Sequence, residues 1–333
     1  MDNKKTILDI ALKNLNCIRA TIELCTICNW ECKHCYLNKH EDIGLEIKNL
    51  KMLLKKLRTM GVYELVLTGG EIFCRKDVFE IIEFARKLGF LITILSNASL
   101  LNDEMVNKLI NLNIYEYDCT IFSLKEEVHD MFTQVEGSLV NTLTNIKKLK
   151  KGKIKVKVKH VITKYAMNEV ENIKQFCLEN DYIYLGTIDI YAKNNGDRTP
   201  YDYCVEIDEI ENIIKSIDMF QGYSYIDDSD ESYICKSTRW SIFIASNGDI
   251  YPCGNFKKKL GNVLVDDIEI VWNENKILKE IQNAKFKNTK CKGCSLINRC
   301  FRCSGILYNE MHDYKAISEK SCQIAKIRKK LFD

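Results

Sequence analysis

Sixteen of the 333 residues are cysteine, and their spacing carries the chemistry that this chain can do. Cys28, Cys32 and Cys35 share one short run, C-N-W-E-C-K-H-C. Three thiolates on one loop can hold three irons of a four-iron cube and leave the fourth iron open. An open iron is a chemical site, as an open zinc position is. The same spacing also suits a zinc knuckle completed by His34 or Cys25. A second group begins with Cys235 and Cys253, with Gly248 between them, continues with the pairs Cys291/Cys294 and Cys300/Cys303, and ends at Cys322. The two CxxC pairs read alone as a zinc ribbon, but the group has more thiols than one zinc takes.

Disulfides are not the expected use of these thiols. The start, MDNKKTILDI, has no apolar signal core, and no apolar run reaches ~18 residues. The expectation is a cytoplasmic protein in which thiols stay reduced and bind metal. Basic and acidic residues number 49 and 46, a net charge of +3. That balance gives no whole-chain attraction to nucleic acid or membrane.

The elements that must position the first cluster alternate. Strand-like runs cover Ile18–Leu24, Tyr63–Thr68, Leu91–Ser96, Tyr115–Ser123, Ile154–Thr163 and Tyr182–Tyr191. Helical patterns lie between them at Leu45–Met60, Asp77–Leu88, Asn102–Leu112, Ser138–Lys150 and Asn168–Asn180. Such a series predicts an α/β fold with a parallel sheet and right-handed crossovers. Six units are too few for a closed eight-stranded barrel, so an open, TIM-like (β/α)6 partial barrel is expected, with its chemistry at the C-terminal strand ends. The predicted domains are the barrel over 1–192, a bridging region over 193–234 and a cysteine-rich domain over 235–333. The stretch Lys193–Tyr203 reads as a linker, and Trp240–Ala245 with Asp249–Tyr251 as a hairpin around Asn247-Gly248.

Cys28, Cys32 and Cys35 directly after the first strand resemble the radical S-adenosylmethionine (SAM) superfamily, and the resemblance covers Ile18 to about Tyr191. It implies that His34, in the place of the usual aromatic residue, and Tyr36 lie by the adenine. Thr68-Gly69-Gly70-Glu71 ends the second strand and resembles the family's GGE motif, which binds the amino group of the methionine moiety. Glycines there admit close backbone approach, and a carboxylate suits an ammonium. Ile72 stands where the family often has proline. Ser96 and Asn97, and Ser123, end the third and fourth strands and resemble contacts to the ribose and its neighbours. The resemblance implies reductive cleavage of SAM to a 5′-deoxyadenosyl radical that abstracts a substrate hydrogen. Lys155, Lys157 and Lys159 alternate along the fifth strand. They either face the lumen, where Lys159 would meet a carboxylate of the nucleotide or of an acidic peptide, or protect an open sheet edge.

The order of the C-terminal cysteines resembles the SPASM domain of radical enzymes that mature peptides and proteins. This chain has two residues, Phe301 and Arg302, where the domain usually has three. Carried over by position, Cys235, Cys253 and Cys303 would hold one auxiliary cluster, with a fourth ligand from another residue, water or substrate. Cys291, Cys294, Cys300 and Cys322 would hold the other. With the first site, that makes three [4Fe-4S] clusters. Of the remaining cysteines, Cys17, Cys25, Cys74, Cys119 and Cys177 read as small core residues, and Cys204, between the domains, as a candidate hydrogen donor. The terminal KIRKK (326–330) reads as a solvated helix end.

The expected function is anaerobic hydrogen abstraction from a ribosomally made precursor peptide, giving a cross-link or an epimerised residue. The segment from His129-Asp130 through Thr133, Gly137-Ser138 and Asn145 resembles stretches of peptide-maturing members. A flavodoxin or ferredoxin would supply electrons. With the barrel starting within ~20 residues there is no room for a winged domain that binds the precursor, so leader recognition would need a separate protein or the barrel surface. The alternatives are a sulfatase-type maturase that makes formylglycine, and a non-catalytic iron–sulfur or zinc protein.

Overall fold

A computed structural model describes residues 6–217 and 228–332; residues 218–227 of the expected bridging region lie outside the described residues. After a short helix α1 (Ile7–Asn14), strands β1 (Arg19–Glu23), β2 (Glu64–Thr68), β3 (Leu91–Leu95), β4 (Glu116–Ile121), β5 (Lys155–Val161) and β6 (Ile183–Thr187) pair in parallel, in sequence order. Helices α2 (Ile47–Thr59), α3 (Val78–Lys87), α4 (Asp103–Asn111), α5 (Glu126–Thr133), α6 (Ser138–Lys151) and α7 (Val170–Glu179) connect them.

Periodicity explains the layers. In α2, Leu50, Leu53, Leu54 and Leu57 recur at helical spacing and are all buried. Each such leucine stabilises the fold by roughly 1.5–3 kcal/mol relative to exposure. Strand residues alternate: Leu65, Leu67, Ile92 and Ile94 are fully buried against that helical layer. Their neighbours Thr68 and Leu95 face the other side and line the lumen.

The sheet does not stop at β1. Strand β7 (Ser241–Ile244) pairs parallel with β1, Arg19 opposite Ser241 and Ile22 opposite Ile244. Strands β8 (Asp249–Tyr251) and β9 (Gly261–Asn262) follow antiparallel, so nine strands run in the order β6-β5-β4-β3-β2-β1-β7-β8-β9. The expected hairpin is present, and it extends the barrel sheet instead of standing apart. Helices α9 (Ile268–Glu274) and α10 (Lys276–Asn283) cover it; α11 (Ser304–Met311) and α12 (Glu319–Phe332) close the chain.

Three expectations change. β5 lies between β4 and β6, so its lysines do not guard an edge. Val156 and Val158 face the helices, and Lys157 and Lys159 face the lumen. The KIRKK segment is not simply solvated: Arg328 is buried and Ile327 packs in the cluster that α8 (Ile210–Ser216) builds with Ile162 and Val170. That helix makes the bridging region a packed element. Cys17, Cys25, Cys119 and Cys177 are core residues, while Cys74 and Cys204 are half-buried.

Candidate functional site

The first cysteine loop leaves β1 and is fastened at both ends. Leu24 N–H donates to Thr68 O at 2.7 Å, continuing the sheet. Buried Arg75 then donates to Leu24 O at 2.8 Å and to Leu45 O at 3.1 Å, and also bonds Ile43 O. Asp77 holds the guanidinium at 2.9 Å. One side chain thus ties the two ends of the segment that carries Cys28, Cys32 and Cys35. Sequence reasoning missed Arg75; the signal was a charged run, Arg75-Lys76-Asp77, directly after the apolar Ile72-Phe73-Cys74. The back of the loop rests on α5: Glu31 N–H donates to Thr133 O at 3.1 Å and Lys33 N–H to Phe132 O at 3.0 Å. The Asp130 carboxylate receives Gly137 N–H at 2.6 Å and Leu139 N–H at 3.1 Å. The His129–Asn145 segment is therefore the bracket behind the loop.

Gly69 and Gly70 press against the same loop. Gly70 N–H donates to Cys25 O at 3.0 Å and Glu71 N–H to Ile27 O at 2.8 Å. A Cβ on Gly69 would meet Cys25 O at 2.5 Å, and one on Gly70 would collide with the Thr26 and Ile27 carbonyls. Glu71 differs from expectation. Its carboxylate is fully buried and accepts from Phe73 N–H at 3.0 Å, Asn97 N–H at 2.8 Å and Ser96 Oγ at 2.8 Å. It joins the ends of β2 and β3 and is absent from the cavity wall. Burial raises it to about 6 against those donors. Ser123 likewise turns away, donating to Glu169 at 2.8 Å; Thr120 and Phe122 line the wall there.

A cavity of about 190 Å³ results. Cys28, Cys32, Cys35, His34, Tyr36, Gly69, Gly70, Ser96, Asn97 and Lys159 all line it. Lys159 pairs with Asp118 at 2.9 Å across the floor. Asp118, missed in the sequence, was visible as the second acid, after Glu116, in the strand EYDCTI. Three polar atoms here have no hydrogen-bond partner although buried: Trp30 Nε1, His34 Nδ1 and Asp118 Oδ1. Burial lowers His34 to about 4, so the ring is neutral. Burial pushes the Cys28 thiol up to about 12, with Glu71 and Cys35 adding repulsion, and drives Cys32 and Cys35 upward too. Thiols in such surroundings ionise when a metal supplies the positive charge. The unpartnered polar atoms, the glycine cradle and the three thiols fit a polar nucleotide beside an iron–sulfur cluster. Among the described residues, no three His, Cys, Asp or Glu side chains form a group that holds one metal ion; a four-iron cube spaces its thiolates more widely than a single ion does.

The C-terminal cysteines fall into two neighbourhoods. Burial raises Cys253, and its next influences are Cys235 and Cys303. Cys300 feels Cys322 and Cys291; Cys322 feels Cys291 and Cys294. Cys204 lines a further cavity of about 390 Å³ together with Cys303 and Asp189. It does not line the cavity of the first loop. A chamber of about 650 Å³ shares Tyr36, Thr68 and Leu95 with the first cavity and extends to Lys257, Asn255 and Tyr308. Lys257, another residue missed in the sequence, sits over the rings of Tyr36, Phe243 and Tyr251 at 4.9–5.7 Å.

Comparisons agree with this geometry. Residues 22–177 match the Radical SAM superfamily, and residues 235–303 match SPASM, an iron–sulfur cluster-binding domain. An AdoMet-dependent heme synthase of Methanosarcina barkeri is 22% identical, over 88% of this chain and 92% of its own. The antilisterial bacteriocin subtilosin biosynthesis protein AlbA of Bacillus subtilis is 27% identical, over 89% of this chain and 69% of its own. The crystal structure of Streptococcus suis SuiB bound to precursor peptide SuiA superposes with a TM-score of 0.74 at 20% identity, covering 94% of this chain and 79% of that one, and shows the shared fold. The chain belongs to the radical SAM superfamily, whose members use SAM and a four-iron cluster, and its C-terminal part is a SPASM domain of the kind that binds auxiliary clusters.

Proposed function

We propose that this chain is a peptide maturase that removes a hydrogen from a ribosomally made precursor and closes a cross-link. The observation that carries the reading is the shared wall of the two cavities. Tyr36, Thr68 and Leu95 border both the 190 Å³ cavity and the 650 Å³ chamber. A group held in the first would reach a substrate held in the second. The chamber has the volume for a few residues of a peptide, and lies between the sheet and the C-terminal domain. The relative AlbA, concerned with bacteriocin biosynthesis, and SuiB with its bound precursor peptide support a peptide substrate.

In this reading Cys28, Cys32 and Cys35 hold the cluster that addresses SAM. Gly69, Gly70, Ser96, Asn97, His34 and Tyr36 surround the nucleotide, and Lys159 with Asp118 forms the floor. Bound there, SAM supplies a 5′-deoxyadenosyl radical that takes a hydrogen atom. Gly69 and Gly70 would admit close approach of the methionine end, and Trp30, Phe122 and Leu95 would keep water from the site. Cys235, Cys253 and Cys303, with Cys291, Cys294, Cys300 and Cys322, hold two auxiliary clusters.

Cross-linking takes two hydrogens from the peptide. One leaves as an atom, the other as a proton with an electron, for which the auxiliary clusters offer an exit to an external acceptor. Cys204 lines the cavity beside Cys303, which shares Tyr191, Arg198, Ile306 and Glu310 with the chamber, so hydrogen return from Cys204 is the alternative that the test must separate from the oxidative outcome. The test is anaerobic reconstitution to about twelve irons per chain, then a search of the neighbouring reading frames for a short peptide and mass spectrometry of that peptide after reaction in heavy water. The expected product is two hydrogens lighter. A product one mass unit heavier, with that gain lost in Cys204→Ala, would establish epimerisation instead. No reaction with the peptide, and turnover of a tetrapyrrole, would favour the heme-synthase relative as the functional guide.

A further inference from the structure

One buried cation faces both C-terminal cysteine sets and has no role in the chemistry above. Arg302 sits between Cys300 and Cys303 in the chain and is only 9% exposed. Its Nη2 donates to Tyr314 O at 2.7 Å and to Ala316 O at 3.0 Å. Those two bonds fix the plane of the guanidinium. The other edge is unfinished: Nε and Nη1 are buried and have no hydrogen-bond partner.

A buried guanidinium is costly unless an anion and acceptors complete it. Thiols of both sets lie near it, Cys291 and Cys300 from one and Cys303 and Cys235 from the other, and Cys300 and Cys303 flank it in the chain. The position is also where the chain departs from the usual spacing, with Phe301 and Arg302 standing in place of three residues. Phe301 does not compete for the site, because it points outward at 42% exposure.

We propose that Arg302 is a positioning residue that spans the two auxiliary clusters, its Nε and Nη1 edge donating to cluster sulfur and its charge raising the reduction potential of both. This rests on the reading of the C-terminal cysteines as two clusters. Hydrogen bonds to the sulfurs and a nearby positive charge stabilise the more negative, reduced form. Clusters poised higher accept the electron that cross-linking releases more readily. Lysine does not substitute for the fork, since it offers a point charge without the planar donor edge.

The experiment uses full-length reconstituted protein with iron counted and the clusters followed by EPR during a redox titration. Arg302→Gln, at full iron content, is expected to shift the auxiliary midpoints to more negative potential and leave the SAM-site cluster unmoved. Arg302→Lys is expected to shift them less. Midpoints unchanged in Arg302→Gln would overturn the proposal and leave Arg302 a staple for residues 314–316. Should Arg302→Gln lose iron, wild-type protein carrying ¹⁵N-guanidino arginine provides the measurement. Pulsed EPR of the reduced auxiliary clusters should show a weak ¹⁵N coupling that Arg302→Lys lacks; a coupling equal in both, or none in wild type, overturns it. Only four irons in wild-type protein would refute the two-cluster reading itself, an outcome distinct from both.

Discussion

Glu71 shows how much a residue's role depends on donors that arrive from elsewhere in the chain. Its place after Gly69-Gly70 marks it as a ligand residue, yet three protein donors claim its carboxylate and bury it. That the cysteines, the glycines, Ser96 and Asn97 share one cavity was legible because they stand at successive strand ends, where the family resemblance places them. The inward turn of Glu71, the turn of Ser123 toward Glu169 and the clamp of Arg75 on Leu24 and Leu45 were not. Each depends on a backbone or side-chain partner dozens of residues away. Gly70 is the sharpest test at this scale. Gly70→Ala puts a Cβ into the Thr26 and Ile27 carbonyls, which are backbone and cannot swing aside. We expect SAM affinity, measured by equilibrium dialysis, to fall at least ~10-fold, about 1.4 kcal/mol, while Gly61→Ala, strained by its φ of +92° but outside the cavity wall, lowers stability and leaves SAM affinity unchanged. Cys28→Ala, Cys32→Ala and Cys35→Ala should each abolish 5′-deoxyadenosine formation under dithionite. Cys291→Ala should retain it, because its neighbours are Cys300 and Cys322, not the first loop. Normal cleavage by the Cys32→Ala protein would contradict the site.

At the scale of elements, the six barrel strands and the helices α2, α3, α4, α6 and α7 follow from periodicity, with boundaries within two residues except at the end of β6, which stops at Thr187 and not at Tyr191. Helix α5 was not expected: it has eight residues, EEVHDMFT, and its buried face includes the polar His129 and Thr133. That short helix matters because its last carbonyls hold the cysteine loop. Its histidine and that of β5 have a further consequence. Burial lowers His129 to about 4 and His160 to about 3. Both rings are neutral in the fold and protonate in the unfolded chain near 6.5. Depressed histidine values mean that stability is complete above pH 6.5 and falls as pH drops toward the folded values. Each ring contributes a slope of about 1.4 kcal/mol per pH unit within that window. Glu71 and Glu23, raised by burial, act with the opposite sign. His160→Phe removes one histidine term and also the contact of Nδ1 with Tyr184 OH at 3.2 Å, a pH-independent loss of about 1 kcal/mol. The Tm of the variant, measured from pH 7 to 5.5, should therefore start lower and decline less steeply than that of the wild type. Parallel curves would show that His160 does not titrate on unfolding.

At the scale of the whole molecule, the SPASM half is built onto the barrel sheet. The sequence showed a change of pattern after Tyr191 and a hairpin at Asn247-Gly248, and both suggest a separate unit. They cannot show that β7 lies beside β1, because parallel pairing between strands more than 200 residues apart leaves no local signal. Trp240 O accepts from Ile18 N–H at 2.9 Å, Arg239 donates to Leu12 O at 3.0 Å, and Trp272 Nε1 to Leu15 O at 2.8 Å. Ile242, Ile244, Ile250, Val271 and Leu278 belong to the same apolar core as Ala20 and Ile22. A chain ending at Ile217 would therefore lose more than its auxiliary clusters. It would expose the open edge of β1, a row of unpaired N–H and C=O groups of the kind that recruits other chains. It would also uncover the apolar surface that those C-terminal side chains bury, at about 25 cal/mol for each Å². And α8 would lose the cover of Ile324 and Ile327 from α12. We expect the shortened protein to aggregate or to retain far-UV but not near-UV circular dichroism, and to be cut rapidly within 1–217 by trypsin at a concentration that spares the full chain. A monomeric, protease-resistant 1–217 that still cleaves SAM would show the barrel to be autonomous, and the shared sheet to be an adornment of the fold, not its support.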